Sequence, residues 1–202
     1  MVIIEPQYFP PISVLREIVS HNEIGFALDD KYKKMSFRNR CLVTGANGII
    51  SLSIPIKGGR EVNQLIRDVK INNSQDWQTQ HWRTLRSIYA RSPWFEYYAP
   101  QLEMFYVKHY EVLYQWNLDL LNWVIKVLKL DIKIKQIELE NIMDSDKNMT
   151  DKVLPKNYSQ QFEKFVPKYQ QVFQEKTGFI QNMSILDLIF CEGANAVNYL
   201  NI

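Results

Sequence analysis

Three stretches of the sequence carry side chains able to bind or transform a ligand. Asp29 and Asp30 close the apolar run Ile24 to Leu28. Adjacent acids at a strand end concentrate negative charge, which suits a divalent cation or a substrate hydroxyl. Successive strand residues point to opposite faces, so only one of the two can face a given pocket. Residues 31 to 40 then hold Lys31, Lys33, Lys34, Arg38 and Arg40 without an acid, with Tyr32 and Phe37 interleaved. Guanidinium groups make forked contacts to phosphate or carboxylate, so this segment is a candidate anion grip; the alternative is a solvated run of charge. The third stretch places His81 near Trp77, Trp82 and Arg86 on one predicted helix. Imidazole is suited to proton transfer near neutral pH, and tryptophan faces stack on sugars or bases. Against that stands the commoner fate of such residues, a hydrogen-bonded core histidine among core aromatics.

These side chains need elements to hold them. Val2 to Ile4 is a short β-branched run stopped by Pro6, Pro10 and Pro11, and Ile12, Leu15, Ile18 and Val19 follow at helical spacing. The pattern predicts strand, tight connection, helix, and then a second strand over residues 24 to 28. Residues 42 to 55 flank Gly45-Ala46-Asn47-Gly48, which predicts an antiparallel hairpin turning at Asn47-Gly48. The same flanking strands argue against a phosphate loop, which requires strand, loop and helix. Ile66 to Ile71 reads as one more strand. Over residues 75 to 91, Trp77, Ile88, His81, Leu85, Tyr89 and Trp82 fall within one helical arc of about 140°, opposite Arg83. Pro100 opens a predicted long helix reaching Lys129, with His109 in the middle of its apolar stripe. Residues 131 to 139 alternate like a strand, and Ser184 to Asp187 has capping-box spacing ahead of an apolar run. The expected class is α/β, with mixed α+β as the variant: a small N-terminal sheet with helices, and a helical second half containing one long helix.

Composition bounds the function. The 202 residues suit a single domain spanning 1–202, and 46% hydrophobic with 13% aromatic residues excludes a disordered chain. A net charge of +2 is too balanced for a nucleic-acid footprint over the whole surface, so nucleic acid is disfavoured as a partner. Cys41 and Cys191 stand 150 residues apart with no CxxC or Cys/His cluster, which argues against a zinc site and a disulfide scaffold and for a reducing, cytoplasmic setting. No stretch of 18 uncharged apolar residues predicts a membrane span. The sequence names no metal and no cofactor, and it leaves the oligomeric state open.

Five stretches in order resemble the WbqC-like protein family: Glu5-Pro6-Gln7-Tyr8-Phe9-Pro10, Asp29-Asp30, Arg38-Asn39-Arg40, Asn73 to Trp77 followed by His81-Trp82, and Phe179 to Leu188. The combination is far more specific than any one piece. The resemblance implies a bacterial protein, with some relatives encoded among genes for surface-polysaccharide or other glycan assembly, and so a place near transferase chemistry on activated sugars. Two departures stand out. The first motif usually begins with Gln where this chain has Glu5, and longer relatives carry a Gly-rich, Thr/Ser-containing segment that residues 141 to 167 lack. Residues and resemblance together give His81, Asp29 and Asp30 as candidate catalytic groups. Gln7, Tyr8, Arg38, Asn39, Arg40, Asn73, Trp77, Trp82 and Arg86 are the candidate ligand contacts. The expected function is a group transferase of glycan or sugar-nucleotide metabolism acting on a small molecule, with a sugar nucleotide as one candidate. The rival readings are a non-catalytic module for an acidic nucleotide, glycan or nucleic acid, and a scaffold protein of a surface-assembly complex.

Overall fold

The computed structural model describes residues 1–58, 64–158 and 168–200. Four parallel strands form the main sheet: β1 (Val2–Ile3), β2 (Glu23–Ala27), β5 (Lys133–Ile137) and β6 (Lys147–Asn148), in the order β5-β2-β1-β6. The first crossover is α1 (Ile12–His21), which buries Ile12, Leu15 and Ile18 as its apolar spacing requires. Gly25 permits the close approach of neighbouring side chains in mid-sheet, since a Cβ there would meet Ile3 Cδ1 at 2.8 Å and Ile137 Cδ1 at 3.0 Å. The protein is α/β, but its sheet is not purely N-terminal. Two strands from the second half complete it, β5 within the strand-like stretch 131 to 139 and β6 within a stretch read as a polar loop.

β3 (Arg40–Gly45) and β4 (Gly48–Ser53) form the hairpin in antiparallel register from Arg40↔Ser53 to Gly45↔Gly48. Its turn residues are Ala46 and Asn47, one position earlier than expected, because Gly48 alone takes the positive φ, +109°. α2 (Trp77–Tyr89) buries Trp77, His81, Trp82, Leu85, Ile88 and Tyr89 and leaves Arg83 in water, matching the predicted arc.

The single long helix does not exist. α3 (Phe95–Val107) contains Pro100, and α4 (Leu113–Val127) begins after a break. The cause is non-local: Ile71 N donates to Glu111 O (2.8 Å) and Leu113 N to Val69 O (2.9 Å), so backbone groups around the break are claimed by residues 69–71. His109 lies exposed in that break, not in an apolar stripe. The same pairing explains why Ile66 to Ile71 is no regular strand. A 3₁₀ turn covers Ile66–Asp68, and Lys70 and Ile71 then form isolated bridges to Val112 and Ile56.

Trp116 sits at the middle of the aromatic core, fully buried between Trp77, Tyr106 and Tyr110 with ring centroids 5.0, 5.3 and 5.0 Å away. The short helices α5 (Gln174–Thr177), α6 (Ile185–Glu192) and α7 (Ala196–Leu200) close the chain. Among the described residues, no helix is long and apolar enough to cross a membrane.

The chain leaves β1 towards β2 and β5 on one side and returns as β6 on the other. The carboxyl ends of β1 and β6 therefore flank a switch point, the position where open parallel sheets hold their ligands.

Candidate functional site

The loop after β1 and the loop after β6 meet at this switch point. Met149 N donates to Ile3 O (2.7 Å), and Asn148 Oδ1 accepts from Thr150 N (2.9 Å), which tightens the turn after β6. Asp151 then adopts φ 58° and Phe9, across the crevice, φ 45°. Left-handed backbone at a residue other than glycine costs about 1 kcal/mol or more, and such strain collects where a site needs a particular geometry.

Asp151 is tied twice to its surroundings: its backbone N donates to Glu5 Oε2 (3.0 Å), and its Oδ1 accepts from Arg38 Nη1 (2.6 Å). Lys33 Nζ stands 3.5 Å from its other oxygen. Glu5 also accepts from Gln7 Nε2 at 2.9 Å. Burial raises the Glu5 carboxyl above its usual range, outweighing the lowering pull of the Arg38 charge. Asn117, on the buried face of α4, donates through Nδ2 to Pro6 O (3.1 Å) and Arg38 O (2.7 Å) and so pins the loop after β1 to the stretch before β3.

Arg38 is only 1% exposed, yet its Nε and Nη2 have no hydrogen-bond partner among the described residues. Asn117 Oδ1 is likewise buried and unpaired. Both residues line a cavity of about 10 Å³ with Tyr32, Leu113 and Tyr114. Tyr114 also borders an open cleft of about 340 Å³ at the ends of β2 and β5, together with Arg67, Gln136, Glu138 and Asn141. A buried guanidinium with two idle nitrogens is costly unless a water or an anion meets it, so this crevice can hold an ordered water or the oxygen of an anion, with Glu5 beside it as a group able to hold or yield a proton.

The other predicted residues fall into separate settings. Tyr8 N donates to Phe37 O (2.8 Å), while the Tyr8 hydroxyl lies 3.0 Å from His81 Nδ1 and 2.8 Å from the Tyr106 hydroxyl. Burial pulls the His81 pKa down to about 4, with the Ser53 backbone pulling weakly the other way. A neutral imidazole with its proton on Nε2 accepts from Tyr8, a tautomer assigned from the network. Trp77 packs edge-on to His81 (centroids 5.3 Å) and donates from Nε1 to Asn73 Oδ1 (3.2 Å), and Asn73 bonds Tyr110 O. Trp82 stacks between Phe95 and Tyr106 and donates to Glu103 Oε1 at 2.7 Å, which leaves no free ring face for a sugar. Arg86 is exposed, Asn39 bonds Ile54 O and Arg40 bonds Ser53 Oγ along the hairpin. Asp29 accepts from Leu139 N, and Asp30 from Lys31 N. The fold therefore gathers Gln7 and Arg38 at the switch point and Tyr8, His81, Trp77 and Asn73 in the aromatic core. Asp29 and Asp30 serve the carboxyl end of β2. No hydrogen bond among the described residues joins the Arg38 group to His81 or to either aspartate.

A second buried carboxylate lies elsewhere. Asp187 is wholly inaccessible and accepts four side-chain bonds: Thr44 Oγ1 (2.5 Å), Tyr89 OH (2.7 Å), Tyr169 OH (2.6 Å) and Gln171 Nε2 (2.9 Å). Ser184 caps α6 by accepting from Leu186 N, so the expected cap is real, but Asp187 itself serves as a core junction. Cys41 and Cys191 are buried and unbridged, and burial pushes both thiols up.

Sequence reasoning missed Glu5, Asp151, Asn117 and Asp187 as polar hubs. A signal existed for Asn117, a lone amide within the apolar stripe Leu113, Trp116, Leu120 and Val124. Asp151 has none, being one acid in a polar stretch.

The protein is 25% identical over 217 residues to the uncharacterized protein Rv1507c of Mycobacterium tuberculosis, covering 96% of this chain and 91% of that one. No solved structure matches significantly. The model of the WbqC-like protein family matches residues 5–161, a span that holds both walls of the crevice, Glu5 to Arg38 and Asp151, while the stretch Phe179 to Leu188 lies beyond it. With most of its length matched, this chain belongs to the WbqC-like protein family.

Proposed function

We propose that this protein is an enzyme of bacterial glycan or sugar-nucleotide metabolism, a group transferase of surface-polysaccharide assembly whose ligand carries an anionic group held by Arg38. The observation that carries the reading is a guanidinium at 1% exposure with Nε and Nη2 unpaired, set at the switch point of a parallel sheet. Arg38 and Gln7 bind in this reading, and Glu5, poised by burial above the usual carboxylate range, exchanges the proton. Asp151 holds Arg38 in place. The glycan context comes from the family's resemblance, not from the geometry. The whole chain works as one domain, and a cytoplasmic location suits two buried, unbridged thiols.

His81 favours the second reading, a non-catalytic binding module. The histidine is held by Tyr8 inside the core, leaving the crevice without an imidazole. A thermal-shift screen with sugar phosphates and nucleotide sugars tests the shared part of both readings. A ligand at 100 times its dissociation constant stabilises the fold by about 2.7 kcal/mol. Binding that vanishes in Arg38→Lys supports the site, and binding unaffected by that change removes it. Release of a nucleoside phosphate from a bound donor, absent in Glu5→Ala, separates enzyme from module.

A further inference from the structure

A second concavity lies at the carboxyl ends of β2 and β5, and it does not involve Arg38. Asp29 accepts from Leu139 N through both carboxylate oxygens, each at 3.1 Å, which ties the 3₁₀ turn Leu139–Asn141 to the end of β2. The turn Ile66–Asp68 is tied to the same segment, with Ile66 N donating to Asp30 O (2.9 Å) and Arg67 N to Leu28 O (3.0 Å). Tyr114, in the first turn of α4, packs against the core and supplies a third wall. These elements frame the open cleft of about 340 Å³, a volume within the usual range for small-molecule sites. It lies on the edge of the sheet at which parallel strands present their ligands.

The lining sets the chemistry. Leu28 and Ile137 are apolar, and Arg67, Tyr114, Gln136, Glu138 and Asn141 are polar. Among the described residues, no hydrogen bond or ion pair occupies the side chain of any of these five. Arg67 and Glu138 cancel in charge, so a free anion would meet Glu138 and a free cation Arg67. A zwitterion would suit those two and leave the phenol and both amides idle. A hydroxyl group both donates and accepts, so a ring that carries several matches every member: it donates to Glu138, accepts from Arg67, and does either with Gln136, Asn141 and Tyr114. The Tyr114 ring adds a flat apolar surface beside its hydroxyl, fit to pack on the C–H groups of a saturated ring.

We propose that this cleft binds a neutral polyhydroxy ring, a monosaccharide or cyclitol, with Arg67, Tyr114, Gln136, Glu138 and Asn141 as its contacts. Asp29 is a positioning residue, since it holds the turn that carries Asn141 and does not meet the ligand. The site stands apart from the anion grip at Arg38 and does not depend on it.

Saturation-transfer NMR and calorimetry on the full chain test it, with glucose, galactose, N-acetylglucosamine and myo-inositol set against glycine and inorganic phosphate. At least one of the neutral rings binds with a dissociation constant of millimolar order or tighter, and Tyr114→Ala and Asn141→Ala each weaken it about tenfold while the melting temperature stays within a few degrees. Asp29→Ala weakens it as well, and Asp29→Asn, which keeps an acceptor for Leu139 N, restores the affinity. If Tyr114→Ala fails to fold, Asn141→Ala, at an exposed position, and the Asp29 pair decide alone. A ring that binds the Asn141→Ala and Asp29→Ala variants as tightly as the parent lies elsewhere and overturns the site. Glycine that binds in place of the rings and is lost in Glu138→Gln overturns the neutral class, and no binding by any of the four rings overturns the proposal outright.

Discussion

Asp187 and Arg38 are both charged and both almost wholly buried, yet their surroundings differ in kind. Asp187 has four donors on its two oxygens and needs nothing more. Arg38 has one acceptor for three nitrogens and keeps two in reserve. Burial of a charge is therefore no mark of a site by itself. A satisfied buried charge locks a fold together, while an unsatisfied one, placed where the sheet opens, is where the proposed function seats its ligand. Asp187 joins β3, α2, α6 and the segment around Tyr169, whereas Arg38 joins only two loops.

The contrast breaks most visibly at Asp187. Asp187→Ala strands the Thr44, Tyr89 and Tyr169 hydroxyls without an acceptor, while Gln171 keeps Ile180 O, and should cost about 3 to 5 kcal/mol in urea denaturation. A loss under about 1 kcal/mol would show that the junction is dispensable and the distinction false.

The core histidine comes next. His81 has a folded pKa of about 4 against an ordinary 6.5, so the unfolded chain takes up the proton first as pH falls. Stability is thus complete above pH 6.5 and declines between 6.5 and about 4, by about 3 kcal/mol in all. His81→Gln should flatten that decline, and a decline of equal size in the variant would assign it to other groups. Glu5 works in the opposite sense. Its raised carboxyl holds a proton in the fold at pH values where the unfolded chain has lost it, so this contribution weakens as pH rises from 4.5 through the raised value. Glu5→Gln, which keeps the acceptor for Asp151 N and restores the residue usual in the first motif, should be more stable than the parent at neutral pH. Denaturation at pH 5 and pH 8 checks the sign.

Arg38 itself gives the smallest change in stability. Arg38→Met replaces a half-paired buried cation with an apolar chain, and Asp151, a quarter exposed, keeps Lys33. The expected cost is about 1 to 2 kcal/mol, with complete loss of anion binding. A cost matching that of Asp187→Ala would place Arg38 among the structural charges.

Much of the frame was legible because its signals are local. Val2 to Ile4, the prolines after it, the α1 spacing and the His81 arc each state their element within a dozen residues. The break between α3 and α4 was not, because residues 69–71 impose it from a distance while Leu113, Trp116 and Leu120 carry the apolar rhythm onward. The candidate site divides in the same manner. Arg38 and Gln7 were found from residue type and motif. Asp151 and Asn117 meet Arg38 across 113 and 79 residues, and no periodicity reports such a meeting. Tyr8 and His81 stand with Arg38 among the candidate site residues on motif and residue type, but Tyr8 turns its backbone to Phe37 and its hydroxyl to His81, facing the core.

The most direct test observes the reserve nitrogens. In arginine-selective ¹⁵N spectra assigned with Arg38→Lys, the Arg38 Nε–H resonance should move saturably as a sugar phosphate or nucleotide sugar that shifts the melting temperature is added, and the same titration should leave the Tyr89 and Tyr169 hydroxyl bonds to Asp187 undisturbed. An Arg38 resonance that stays fixed while that ligand binds, or that is already protected to the same degree without ligand, would contradict the claim that Arg38 is held ready for an anion.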